Sequence, residues 1–222
     1  MRSFFKVVLI FITVVCLSGN SFVFSASKTT RIVVSSMAGA VYDLLFYEVE
    51  AQLRDLAKTA RTEDLWLYVV SRTKLYDIGY GGTGLEVTPT YRVFEKDRTI
   101  LRGRDTIGIH NHPLSKDNCV YSPSFNDLWQ LAVCKESFRK MFNANFKGMV
   151  FDGLGIWQYD MTEETVQIFQ QDESREKIRK KLRYLRYITR LKAPGFKDRA
   201  SAISKYIAEV AKLGIIMEYR DI

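Results

Sequence analysis

Only two histidines occur in the 222 residues, and they stand two apart in Ile107-Gly108-Ile109-His110-Asn111-His112-Pro113. An apolar run leads to them and a proline follows, which reads as the end of a strand. Residues i and i+2 of a strand face the same side, so both imidazoles can converge on one metal ion. A carboxylate comes next, Asp127, in Ser122-Pro123-Ser124-Phe125-Asn126-Asp127. Two histidines and one carboxylate leave a position open on a tetrahedral ion, as catalytic zinc sites do. Each piece also has a plainer role. Ser124-x-x-Asp127 is a helix capping box, and a carboxylate in a first helical turn is stabilised by the N–H groups and dipole there. A His-x-His pair on a strand can be incidental.

Taken together, His110-x-His112-Pro113 followed by Ser124-x-x-Asp127 resembles the motif of the JAMM (MPN/JAB) metalloproteases. The wording His-Asn-His-Pro with Pro-Ser-x-x-Asp is closest to the RadC-type bacterial branch of that family. The resemblance implies that His110, His112 and Asp127 bind Zn2+. It also implies that a glutamate opening the first central strand handles protons, and Glu63, 47 residues before His110, meets that description. Glu48, Glu50 and Glu86 are the alternatives. By the same resemblance Ser124 steadies the oxyanion of a tetrahedral intermediate. The likeness covers Ala40 to Tyr159 in outline and is specific over His110 to Asp127. Two features depart from the family. Leu114 to Tyr121 lengthens the interval before Asp127, and Glu95 to Arg104 does not read as the helix that RadC-type members carry before the histidine strand. Other metal classes fit less well: amidohydrolase-type sites need further histidines, and zinc fingers need closely paired cysteines, whereas Cys119 and Cys134 lie 15 apart.

The elements that must position these residues read in order. Arg31–Ser35 is a short strand, and Ala40–Ala60 is a helix with Val41, Leu45, Val49, Leu53, Leu56 and Ala60 on one stripe. Asp64–Val70, Lys74–Tyr80 and Leu85–Phe94 are strands, the last interrupted by Pro89. Asp97-Arg98 turns into the histidine strand. Phe125–Phe142 is an amphipathic helix, with Leu128, Leu131, Ala132, Phe138 and Phe142 inward. Lys147–Phe151 and Leu154–Tyr159 form a hairpin across Asp152-Gly153, a pair suited to a type I′ turn. Helices Glu173–Lys192 and Asp198–Leu213 follow, split by Ala193-Pro194-Gly195, and Ile215–Tyr219 is a last short strand. This predicts an α+β (α/β-like) fold: a mixed sheet flanked by helices, of the JAMM/cytidine-deaminase kind by the resemblance, with a helical C-terminal extension.

Before this domain, Arg2 and Lys6 precede an apolar run, Val7 to Leu17, and small and polar residues follow. That is the layout of a secretory signal peptide, over residues 1–26, or of a retained anchor if uncut. Residues 27–170 are then the metal-binding domain and 171–222 a basic helical extension packed on it. An exported protein, periplasmic or secreted, meets an oxidising compartment, so Cys119 and Cys134 read first as a disulfide. Free thiols, or a Cys119 thiolate on the metal, are the alternatives. Removing Arg2 and Lys6 lowers the formal charge from +8 to +6. Much of it crowds one helix: Lys177, Arg179, Lys180, Lys181, Arg183, Arg186, Arg190 and Lys192, beside an apolar stripe of Ile178, Leu182, Leu185, Ile188 (or Tyr184) and Leu191. The plainer reading is a docked helix with a solvated cationic face. The functional one is attraction to an acidic partner or a membrane surface. Export argues against nucleic acid. Two functions follow: a zinc peptidase or isopeptidase acting on a peptide or protein substrate, or a non-catalytic JAMM-like binding module working through its sheet or basic helix.

Overall fold

The computed structural model describes residues 41–43, 45–57, 63–80, 98–112, 120–189 and 196–221. The signal segment, the Arg31–Ser35 and Leu85–Phe94 strands, Glu86, Cys119 and Arg190 to Gly195 fall outside them. The described residues belong to one compact unit, Ser36–Ile222.

Runs of buried β-formers alternate with capped amphipathic helices, and the product is an α+β fold. Its strands are β1 (Val41–Asp43), β2 (Asp64–Val69), β3 (Lys74–Tyr80), β4 (Thr106–Asn111), β5 (Phe146–Phe151), β6 (Gly155–Met161) and β7 (Ile215–Asp221). They make one mixed sheet in the order β1-β3-β2-β4-β5-β6-β7. The helices are α1 (Phe46–Ala57), the single turn α2 (Arg98–Leu101), α3 (Phe125–Phe142), α4 (Glu163–Gln170), α5 (Asp172–Ile188) and α6 (Phe196–Ala211). Five of the six strand pairings are antiparallel; β4 and β5 run parallel. Parallel neighbours need a crossover, and α3 supplies it. The histidines stand at the carboxyl end of β4, where the chain leaves the sheet on its way to α3.

The sheet is covered on both faces. Leu65, Leu67, Val69, Val150, Trp157 and Tyr159 pack with residues of α3, α4, α5 and α6 in one large apolar cluster. The alternate residues Trp66, Tyr68, Ile109, Met149 and Phe151 are buried outside that cluster. On their side lies α1, whose Phe46 ring sits 5.4 Å from that of Tyr68 and which burys Val49 and Leu53. The C-terminal part shares this architecture: β7 pairs along β6, and Ile178, Leu182, Leu185, Tyr206 and Val210 join the main cluster.

Several elements differ from the expectation. The long first helix loses its start, because Val41-Tyr42-Asp43 pairs with Tyr76-Leu75-Lys74 on the edge of β3. Strand pairing satisfies that backbone, so Val41 leaves the helical stripe and Leu45 stays outside, half exposed. Arg98–Leu101 does form a helical turn, burying Leu101. An unforeseen helix, α4, begins at Thr162, whose side chain accepts the Thr165 N–H, and buries Thr165, Val166 and Phe169. The β5–β6 hairpin is present, but only Gly153 has positive φ (80°). That is the sign pattern of a type II′ turn. Asp152 instead turns its carboxylate inward to accept the Leu154 and Gly155 N–H groups.

Candidate metal centre

Strand alternation brings the two imidazoles to the α3 face of β4. Their Nε2 atoms lie 3.3 Å apart. Asp127, three residues into α3 from its cap, closes the triangle: Oδ1 is 3.3 Å from His110 Nε2 and Oδ2 is 3.4 Å from His112 Nε2. An ion bonded to three tetrahedral donors at about 2.0–2.2 Å requires donor separations of roughly 3.3–3.6 Å. The two imidazole nitrogens meet that spacing, and each has a different oxygen of the Asp127 carboxylate at it; among the described residues these three side chains form a group that could hold a metal ion. Burial by itself would raise the Asp127 carboxyl, but the imidazoles of His110 and His112 outweigh it and hold the group well below the usual carboxylate range. An ionised carboxylate beside two imidazole nitrogens is a donor set suited to a divalent cation. The side chains are 11%, 12% and 15% exposed, so the centre is sunken yet open at its rim.

Capping and metal binding are not rivals at Asp127. Its Oδ2 accepts the Ser124 N–H while Ser124 Oγ accepts the Asp127 N–H at 3.2 Å, a complete capping box. Oδ1, the atom nearest His110, is left for a cation. The cap therefore aims the ligand.

Three further side chains hold this corner in place, and sequence reasoning did not assign them to it. Asp152 is buried at the end of β5, where its carboxylate accepts four donors: the N–H groups of Tyr121 (3.1 Å), Leu154 (3.0 Å) and Gly155 (2.7 Å) and the Trp157 indole (3.2 Å). Burial pushes its pKa up, opposed by those donors. The residue ties the segment leading into α3 to the β5–β6 turn. Arg186 of α5 reaches the same segment, donating to Ser122 Oγ at 3.1 Å and to the carbonyls of Ser122 and Pro123 at 3.4 and 2.5 Å. Unlike the exposed Lys177, Lys180 and Arg183 of that helix, it does not face solvent alone. Asn111, between the histidines, turns to the opposite side and accepts the Asp64 N–H at 2.7 Å, binding the end of β4 to the start of β2. Below α3, Lys135 pairs with Asp160 at 2.6 Å and fixes the helix to β6. The signal for Asp152 was available: an aspartate in a predicted tight turn beside a buried tryptophan. For Arg186 no local signal separates it from its neighbours.

Leu65 pairs with His110, and Glu63 precedes β2 two residues before Leu65, in step with the residues of the α3 face. The buried Tyr159 hydroxyl is raised well above its ordinary value by burial first, then by the charges of Asp127, Cys134 and Glu63. Both carboxylates therefore act on the same buried ring. Glu48 and Glu50 belong to α1 on the other face: Glu48 accepts the Leu45 N–H, and Glu50 pairs with Arg54 and Arg220. Cys134 carries a free thiol, which burial pushes up to about 12; its expected partner Cys119 is outside the described residues. In α5, Ile178, Leu182 and Leu185 are buried as expected, but Ile188 is 45% exposed and the stripe continues through Thr189.

No protein-family model matches the chain, and neither does any curated protein or solved structure.

Proposed function

We propose that this chain is an exported zinc-dependent hydrolase of the JAMM type, cutting a peptide or isopeptide bond. The observation that carries the reading is the convergence of His110, His112 and Asp127: the two Nε2 atoms lie 3.3 Å apart, and each has one oxygen of the Asp127 carboxylate 3.3–3.4 Å away. Zinc held there would supply a Lewis acid and hydroxide near neutral pH. Glu63 is the proton carrier: its carboxylate takes a proton from the attacking water and returns it to the leaving nitrogen as the C–N bond breaks. The hydroxyl of Ser124 accepts the Asp127 N–H, which leaves its own proton to hydrogen-bond the carbonyl oxygen as charge develops there. Asp152 and Arg186 keep the Ser122–Asp127 segment against the sheet and are positioning residues in this scheme.

Elemental analysis of the purified protein beside its His110→Ala, His112→Ala form tests the metal. About one zinc per chain, absent from the double variant, is expected; equal zinc in both forms would falsify the assignment. Glu63→Gln then separates chemistry from binding. It should keep zinc while losing hydrolysis of a linear peptide. If hydrolysis persists, the proton carrier is another group. If neither form hydrolyses anything and Glu63→Gln preserves every partner interaction, the non-catalytic binding module is the better description.

A further inference from the structure

The outer face of α5 carries charge that nothing in the described fold neutralises. From Lys177 to Lys192 the chain has eight basic residues and no acidic one. The carboxylates of this helix stand in its first turns, where Asp172 pairs with Arg175 and Glu176 with Arg179. Arg186 is turned inward on Ser122 and Pro123. Lys177, Lys180, Lys181 and Arg183 remain, all exposed, and none has a carboxylate within ion-pair distance among the described residues. Their spacing sets like charges three and four residues apart, which destabilises a helix. An anionic surface laid against them would remove that repulsion.

The same face exposes apolar bulk. Tyr187 is 82% exposed, Tyr184 54% and Ile188 45%. These three stand at i, i+3 and i+4 and form a ridge among the cations, with Lys181 5.5 Å from the Tyr184 ring. The inward face, by contrast, is anchored by Ile178, Leu182 and Leu185. A docked helix thus presents a convex outer strip of cations, tyrosines and an isoleucine. Tyrosine and lysine suit the headgroup layer of a bilayer, and an exposed isoleucine gains there what base stacking cannot offer it.

We infer that the Lys177–Ile188 face of α5 binds the surface of an anionic lipid bilayer, with cations on the headgroups and Tyr184, Tyr187 and Ile188 at the interface. The contact is one helix face laid on the lipid surface; among the described residues no helix is long and apolar enough to cross a membrane. It does not depend on the hydrolase reading. Because Arg186 joins this helix to the Ser122–Asp127 segment, a bilayer on its outer side would hold the metal centre at a set height above the lipid.

Co-sedimentation of the full chain with phosphatidylcholine vesicles, with and without phosphatidylglycerol, tests this. The parent should bind the anionic vesicles, release them as salt rises, and ignore the neutral ones. Each surface cation near anionic lipid contributes roughly fivefold, so Lys180→Gln, Lys181→Gln, Arg183→Gln together should weaken binding on the order of a hundredfold. Tyr187→Ala should weaken it several-fold without changing the salt dependence. Circular dichroism and zinc content of these variants should match the parent, as all four positions are exposed. Equal binding to both vesicles would leave the cations no part in the contact and overturn the inference. So would a triple variant that binds like the parent, no binding at all, or tighter binding to single-stranded RNA or duplex DNA than to the anionic vesicles.

Discussion

Replacing Arg186 by alanine asks whether the C-terminal helix holds the metal corner. The guanidinium donates to Ser122 Oγ at 3.1 Å and to the Pro123 carbonyl at 2.5 Å, with the Ser122 carbonyl a weaker third at 3.4 Å. Ser122 and Pro123 are buried, so water substitutes poorly for the lost donors. A hydrogen bond to a charged group contributes about 1.5–3 kcal/mol, and a buried acceptor left unpaired costs about 1–3 kcal/mol. Two good bonds from a half-buried cation put the loss near 2–4 kcal/mol once solvent screening is allowed for. The released segment carries the cap of α3, so Asp127 loses its aim. Loss of an outer support typically weakens a metal site about 10–100-fold. Urea unfolding of the metal-free protein reads the first quantity, and zinc titration against a chromophoric chelator reads the second. Arg186→Lys keeps the charge but not the planar fork, and should fall between. Arg183→Ala, on the exposed face of the same helix, should stay within about 0.5 kcal/mol of the parent. Should Arg186→Ala match Arg183→Ala in both assays, the guanidinium does not hold the segment and the reasoning is wrong.

Ser124→Ala should destabilise by about 1 kcal/mol through the lost cap while retaining zinc, whereas Asp127→Asn should retain most of the cap and lose the metal; calorimetry with zinc titration separates them. Asp127 is held below its ordinary range in the fold, so in the metal-free protein its stabilisation is present above about pH 4 and disappears as pH falls through the folded value. Unfolding free energies of the parent and Asp127→Asn should accordingly converge on acidification, and a gap that widens would refute the sign. Asp152→Asn turns an amide nitrogen toward donors that the carboxylate accepted, and should cost about 2–4 kcal/mol, measured by urea unfolding. With its thiol at about 12, Cys134 should resist alkylation at pH 8 until the chain is unfolded, as peptide mapping by mass spectrometry would show; rapid labelling of the native protein would contradict its burial.

The sequence by itself determined the parts whose information is short-range. Capping chemistry and 3.6-residue spacing placed α3 at Phe125–Phe142, and a run of β-formers placed β2 from Asp64, to within one residue of its end. Two histidines on one strand face and a carboxylate in a capped first turn were legible for the same reason: each depends on neighbours a few residues away. Where a local pattern competed with a distant partner, it gave way. Val41 joined an edge strand because the free backbone of β3 was there to pair with; α4, by contrast, carries a local signal of its own in the Thr162 cap and the two glutamates of its first turn. Tertiary structure alone decided that Asp127 sets Oδ1 against His110 and Oδ2 against His112 while Oδ2 also caps the helix, and that Glu48 and Glu50 belong to α1, away from that face. It also chose Arg186 from a row of similar cations. Those choices rest on register and on which face of each element is buried, and both are set by packing between segments far apart in the chain.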